Sequence, residues 1–385
     1  MTPRRLAPAV VVALSTIAAC SGGSDDATPA STAPAGSTTA DTSAGTRPPP
    51  TTTGSPPTTT TITTTTAITT TAITTTPSTT TTSTTISTPP EPAAPTIRSI
   101  IDEGIFQNLA HAGGDQDAPH STKFAFGEAV RAGATMLELD VQLTADGALI
   151  VQHDDTVDNT TEATGPVSEL TLAEIQALDN AYWFSPFCWP CQDRPLDEYV
   201  YRGVRTGEIP PPDGYSADDL RVPTFREIAT AFPDLPLDIE IKGALPAAAD
   251  VAEQLANELA ELGRIDSAVV VSFEDAVVDV FHELAPDVAI SPGDDRLTDW
   301  FLTGEPLEPY FEVLQLPPFQ LGIQVIDDTV VQRIHDEGRI VWVWPDDAST
   351  QENAEFYDVL IGYGVDGIIA GRPAEVTAAL DGAAG

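Results

Sequence analysis

The sequence predicts a parallel α/β barrel, a TIM (β/α)8 fold, behind a long unstructured lead. Three observations carry the prediction. From about residue 96 onward, short apolar runs that read as strands alternate with segments that read as helices. Polar residues recur at the C-terminal ends of successive strands, where a barrel of this kind builds its site. No glycine-rich nucleotide fingerprint and no P-loop is present, which disfavours the competing reading, an open doubly wound sheet.

The lead comes first. Arg4 and Arg5 form a basic start, and Leu6 to Ala19 is an apolar run too short to span a bilayer. It ends in Ile17-Ala18-Ala19-Cys20, which resembles a bacterial lipoprotein signal: residues 1–19 would be removed and Cys20 would carry the lipid. An ordinary cleaved signal peptide is the competing reading. Residues 20–95 are mostly Thr, Ser, Pro, Ala and Gly, with a threonine-rich run from Thr51 to Thr88. Such a segment buries too little apolar area to offset the entropy of ordering, so it reads as a disordered tether. The expected location is therefore extracytoplasmic, lipid-anchored to the bacterial cell membrane. The net charge of −41 lies almost wholly in residues 96–385. It excludes nucleic acid as an electrostatic partner and leaves the lipid anchor as the only expected membrane contact.

In the folded part, Asn108–His111 reads as the first strand and Lys123–Ala132 as a helix opened by Ser121-Thr122. Met136–Leu143 and Ala148–Val151 read as a strand pair turning at Asp146-Gly147. Thr171-Leu-Ala-Glu174 has the form of a capping box. Helix over 224–232, strand over 237–242, helix over 246–262 and strand over 268–273 follow. Then come a helix from Glu274, a strand at 288–290, and Gly322–Val325 as a seventh strand or part of a turn. A helix over 329–336, strands over 339–344 and 364–370, and a helix from Pro373 to Leu380 complete the chain.

The chemistry concentrates on alternate positions. Glu138 and Asp140 are two apart on one strand, so both face the same side, while Leu137, Leu139 and Val141 face the other. Glu240 and Lys242 alternate in the same way. Buried carboxylates side by side need a counter-charge, most simply a divalent cation with oxygen ligands. A lone E-x-D on a strand means little; what raises its weight is the company of His111 and His153 at neighbouring strand ends, where imidazoles can act as acid and base. His282 and His335 fall on helices and read as structural.

The pattern resembles the glycerophosphodiester phosphodiesterase family. The matching pieces are His111-Ala-Gly-Gly, Pro119-His-Ser-Thr122, Gly133 through Gly147, Val151-Gln-His-Asp154 and Thr160-Thr161 with Gly165. Val222-Pro-Thr-Phe225, Ile239-Glu-Ile-Lys242, Trp344 and Gly364-Val-Asp-Gly-Ile-Ile-Ala-Gly-Arg-Pro373 follow. The resemblance implies one divalent cation, Ca²⁺ or Mg²⁺, held by Glu138, Asp140 and Glu240. It implies acid–base chemistry by His111 and His153, with Lys242 on the phosphate. The implied substrate is a small glycerophosphodiester, cut to glycerol 3-phosphate and an alcohol. In the family the attacking group is the substrate's own neighbouring glycerol hydroxyl, and water then opens the cyclic phosphate.

Two departures stand out. Ala112 occupies the place of the family's arginine, and His120 the place of a glutamate. His120 either takes over one of those functions or is a surface loop residue. Trp344 either walls the pocket or fills the core. The stretch Tyr182–Leu220, rich in aromatics, Pro and Gly, should lie over the mouth. Its Cys188-Trp-Pro-Cys191 reads as a small disulfide loop outside the cytoplasm rather than a zinc or redox motif. Two other functions compete with the diesterase: a phospholipase D-like activity on intact or lyso-phospholipids, which a wider and more apolar mouth would favour, and a surface binding module with a decayed site.

Overall fold

The computed structural model describes residues 94–189 and 191–383. The signal, Cys20 and the linker lie outside the described residues. In chain order the strands are β1 (Gln107–Ala110), β2 (Met136–Leu143), β3 (Leu149–Val151), β4 (Leu237–Ile241), β5 (Ala268–Val271) and β6 (Ala289–Ile290). They continue with β7 (Val313–Leu316), β8 (Phe319–Gln320), β9 (Ile323–Gln324), β10 (Ile340–Val343) and β11 (Gly367–Ala370). The helices are α1 (Ile97–Glu103), α2 (Lys123–Arg131), α3 (Leu172–Ile175), α4 (Phe225–Ala231), α5 (Ala247–Leu262) and α6 (Asp275–Leu284). After them come α7 (Asp294–Thr303), α8 (Asp328–Asp336), α9 (Ala348–Gln351), α10 (Ala354–Tyr363) and α11 (Pro373–Ala383).

Eight strands run parallel in the order β6-β5-β4-β2-β1-β11-β10-β7, and β3 adds antiparallel to β2. A parallel bridge between Ile290 and Phe311 brings the two ends of that order together, so the sheet is a nearly closed barrel. This is the predicted TIM barrel. The two-residue period of each strand sorts its side chains. Leu137, Leu139, Val141, Ile239 and Ile241 face outward and pack under the helices. Leu109, Met136, Val269, Val313, Ile340, Trp342 and Ile369 face inward as one apolar cluster, together with Ile97 and Ile100 of α1. Helix α1 therefore plugs the floor of the barrel. It is set in place by Thr96, whose side chain accepts from Ser99 N, and by Gly104, which ends it in the left-handed conformation.

Above that floor the interior turns polar. Gln315 Nε2 donates to Asp238 Oδ1 at 2.7 Å across the interior, and both residues are buried. Burial first, then Glu240 and Asp140, push the Asp238 carboxyl up to about 7.

The seventh strand is where the sequence reading fails. Gly322–Val325 holds no barrel strand; Ile323–Gln324 belongs to a two-stranded antiparallel hairpin with Phe319–Gln320, turned by left-handed Leu321 and Gly322. The barrel strand is Val313–Leu316 instead. Its four residues stop at Pro317-Pro318 and are all buried, so they show no alternation to read. Helices α1, α7, α9 and α10 also went unread. Among the described residues no helix is long and apolar enough to cross a membrane.

Gly367 faces the barrel interior, where an added Cβ would lie 2.7 Å from Trp342 Cδ1 and 2.9 Å from Gln107 O. One of those neighbours is backbone and cannot turn away. Gly367→Ala should cost on the order of 1–3 kcal/mol, read as a lower urea midpoint. An unchanged midpoint would mean the interior is looser than described.

Candidate active site

The inward positions above the apolar floor assemble one cluster. Glu138 and Asp140 lie on β2, and Asp140 is the register neighbour of Glu240 on β4. Lys242 follows β4 and stands between the two, its Nζ 3.1 Å from Glu240 Oε1 and 3.4 Å from Asp140 Oδ1. The second contact pairs charges without making a hydrogen bond, and both oxygens of Asp140 are buried with no hydrogen-bond partner. Glu138 Oε2 accepts from Ala112 N at 2.7 Å.

These charges set each other's protonation. Burial, then Asp140, raises the Glu138 carboxyl well above the usual range. Burial also raises Glu240, with Lys242 opposing. For Asp140, burial is outweighed by Lys242 and the histidines, and its carboxyl is held low. Burial would release the Lys242 proton, but Glu240 and Asp140 hold it on more firmly than usual.

The histidines stand beside this group. His111 opens a short turn (His111–Gly113) after β1, and His153 follows β3. Their rings meet edge to face at 5.3 Å. Each has a carboxylate on Nδ1. Asp154 Oδ1 accepts from His153 at 2.8 Å, and Asp115 Oδ2 lies 3.5 Å from His111. Asn159 Nδ2 donates to the other oxygen of Asp154 at 2.8 Å. Burial would raise the Asp154 carboxyl, but these bonds and the nearby histidines hold it at about 2. Burial would lower His111, but Asp115, Glu138 and Asp140 outweigh it and keep the imidazole well above the ordinary range. A carboxylate on Nδ1 fixes the ring and leaves Nε2 to the substrate side.

His120 is not a surface loop residue. It is 1% exposed, shares a hydrogen bond with Ser121 Oγ at 2.9 Å, and faces His153 at 5.9 Å between ring centres. Burial lowers its pKa to about 4, so it is neutral at pH 7 and cannot replace the charge of an arginine. Ala112 is itself buried and left-handed, with φ of 45°. Trp344 packs on the interior apolar cluster and also lines an apolar pocket of ≈120 Å³. Cys188 and Cys191 are disulfide-bonded, Cα atoms 5.6 Å apart. His282 stacks on Tyr310 and His335 contacts Asp366, both apart from the cluster.

Among the described residues no three His, Cys, Asp or Glu side chains stand at metal-holding spacing. The donor chemistry nevertheless fits a hard divalent cation. Glu138, Asp140 and Glu240 offer carboxylate oxygens, and the unpartnered oxygens of Asp140 are what a cation would satisfy.

Sequence reading missed Asp115, Asp154, Trp189 and Glu352. Asp154 directly follows His153 and could have been found; Glu352 lies in a loop and carried no signal. Tyr357 donates its hydroxyl to Glu352 Oε2, and Gly371 N donates to Oε1 at 3.1 Å. Burial and nearby Asp115 push this carboxyl from 4.5 up to about 7. A carboxyl with raised folded-state pKa stabilises the fold at low pH and loses that contribution as pH rises from 4.5 through about 7. Glu352→Gln should match the wild type at pH 4.5 and be more stable by roughly 2–3 kcal/mol at about pH 8. Urea unfolding at both values tests this; a pH-independent difference would show that Glu352 does not titrate there.

Comparison with known proteins identifies the family. The Glycerophosphoryl diester phosphodiesterase family profile matches residues 111–375. A glycerophosphodiester phosphodiesterase of Caldanaerobacter subterraneus is 28% identical over 270 residues, 69% of this chain and 93% of that protein. A Bacillus subtilis protein named provisionally for the same activity is 32% identical over 181 residues, 47% of this chain and 62% of its own length. A solved phosphodiesterase of Oleispira antarctica, in complex with the product sn-glycerol-3-phosphate, superposes with a TM-score of 0.51 at 19% identity, covering 73% of this chain and 99% of that one; it supports the fold. The profile match spans well over half of the chain, and the chain belongs to the glycerophosphoryl diester phosphodiesterase family, a family of phosphoric diester hydrolases.

Proposed function

We propose that this chain hydrolyses glycerophosphodiesters to glycerol 3-phosphate and an alcohol, using His111 and His153 as acid and base. The observation that carries the reading is the pair of touching imidazoles, each with a carboxylate at Nδ1, beside the Glu138–Asp140–Glu240–Lys242 cluster. The product named for the Oleispira relative supports the choice of substrate.

A free hydroxyl of the substrate's glycerol attacks phosphorus while one histidine removes its proton at Nε2. The other histidine protonates the departing alcohol oxygen, so the P–O bond to the alcohol breaks as the cyclic phosphate closes. In the second half the roles reverse. Water gives its proton to the histidine that acted as acid, its oxygen bonds to phosphorus, and the ring opens onto the proton stored on the other. Lys242 stabilises the negative charge that gathers on the phosphoryl oxygens. Asp115 and Asp154 keep the rings aimed and stabilise their charged forms. Glu138, Asp140 and Glu240 would hold Ca²⁺ or Mg²⁺, which supplies Lewis-acid polarisation of the phosphoryl group when bound.

The full chain should release glycerol 3-phosphate from glycerophosphocholine with Ca²⁺ or Mg²⁺ and lose the activity in EDTA. His111→Ala and His153→Ala should each lower kcat by about 10²–10⁴-fold, and Glu138→Gln should weaken cation binding measured by calorimetry. Full turnover by either alanine variant would refute the acid–base assignment, and turnover in EDTA would refute the metal.

The pocket beside Trp344 supports a second reading, hydrolysis of lyso-phospholipids. Leu297, Phe301, Leu316, Leu321 and Ile323 line it, and an acyl chain would fit such a wall. Leu321→Asp should then raise KM for a lyso-phospholipid and leave that for glycerophosphocholine unchanged; equal effects on both would exclude the pocket as a lipid site. We further propose that Cys20 is the lipid anchor and residues 20–95 the tether, on the strength of the signal-like lead. Cys20→Ser should move the protein from the detergent phase to the aqueous phase.

A further inference from the structure

The insertion after β3 brings one aromatic side chain to the histidines. Trp189, inside the Cys188–Cys191 disulfide, lies 4.3 Å from His120 and 5.2 Å from His153 between ring centres. The stretch around it is tied down on both sides. Phe187 N donates to Gln116 O at 2.8 Å, and Arg372 lies over the Phe187 ring at 4.5 Å. On the other side Gln192 Nε2 donates to Asp158 O at 2.8 Å. Trp189 is thus fixed against His153 from the loops of three different strands.

Two polar atoms in this ring triangle have no partner. Trp189 Nε1 and His120 Nε2 are both buried without a hydrogen bond. Leaving such groups unpaired costs about 1–3 kcal/mol each, and native structures rarely do so without a reason. The chain also lacks a cation at position 112, where buried Ala112 stands.

We propose that Trp189 Nε1–H and His120 Nε2 form the subsite for the phosphoglycerol end of the substrate, each meeting one of its oxygens. The proposal rests on the diesterase reading above and names which end of the substrate lies where. Trp189 and His120 enclose the β1–β3 side of the mouth, and an enclosed subsite suits the moiety that every glycerophosphodiester shares. Tryptophan suits this place because it fills the wall with its ring and still presents a donor.

The test uses the full chain and two variants that keep a ring and remove the polar atom, Trp189→Phe and His120→Phe. Binding of glycerol 3-phosphate is measured by calorimetry, and KM and kcat on glycerophosphocholine and glycerophosphoglycerol. Each variant should weaken glycerol 3-phosphate about 10-fold. Each should raise KM for both diesters by one common factor and leave kcat within about threefold. Unchanged binding by both variants overturns the subsite and leaves the hydrolase reading intact if the wild type turns over. A KM change confined to one diester overturns it too, because Trp189 would then meet the alcohol. A wild type that binds glycerol 3-phosphate through Trp189 but hydrolyses neither diester supports the subsite and sinks the hydrolase. Inorganic phosphate, titrated alongside, supports a phosphoryl contact if the variants weaken it and a glycerol hydroxyl contact if they do not.

Discussion

The mouth of this barrel is governed by the need to keep three inward-facing carboxylates beside one lysine. Glu138, Asp140 and Glu240 face the interior of adjacent strands, and Lys242 lies between two of them. Buried like charges cannot all stay ionised without compensation. The structure answers in three ways. Lys242 holds Asp140 low, burial shifts the Glu138 and Glu240 carboxyls upward, and the Ala112 backbone N–H turns toward Glu138. Removing Lys242 would leave the carboxylates facing one another, so this residue supports the architecture as well as any phosphate.

The remainder of the barrel makes that concentration of charge tolerable. The floor is apolar and closed by Ile97 and Ile100 of α1, so water does not reach the carboxylates from below. The Asp238–Gln315 bond forms the transition between oily floor and charged mouth, and it joins β4 to β7 across the interior. The inward period of each strand thus runs from apolar to neutral-polar to charged over one barrel height. That gradient places the reactive groups at the C-terminal ends of the strands, where loops can supply the remainder of the site.

How much of this was legible depends on whether a residue's position follows from a period. Glu138, Asp140, Glu240 and Lys242 were readable because a two-residue strand period converts sequence into a shared face. His111 and His153 were readable because they end strands. Val313–Leu316 was missed because a wholly buried four-residue strand before two prolines shows neither alternation nor length. Asp115, Trp189 and Glu352 were missed because loops have no period: Glu352 comes near Asp115 only through the path of the chain from β10 to β11. His120 could be named from sequence, but its burial against His153 could not.

The two departures at Ala112 and His120 bear on one physical problem. A cation placed next to Glu138 in a dry site is drawn to that carboxylate, and a phosphate must then compete for it. A neutral donor is not captured in that way. Ala112 gives Glu138 only a backbone N–H, and His120 stays neutral because burial holds its pKa at about 4. Trp189 offers an N–H with no charge at all. Such a site binds an anion less strongly than one with an arginine, but its donors are already positioned and leave Lys242 as the cation between Asp140 and Glu240. On the proposed reading, recognition of the phosphoglycerol end rests on fixed neutral groups more than on charge, and the stretch that carries Trp189 supplies one of them.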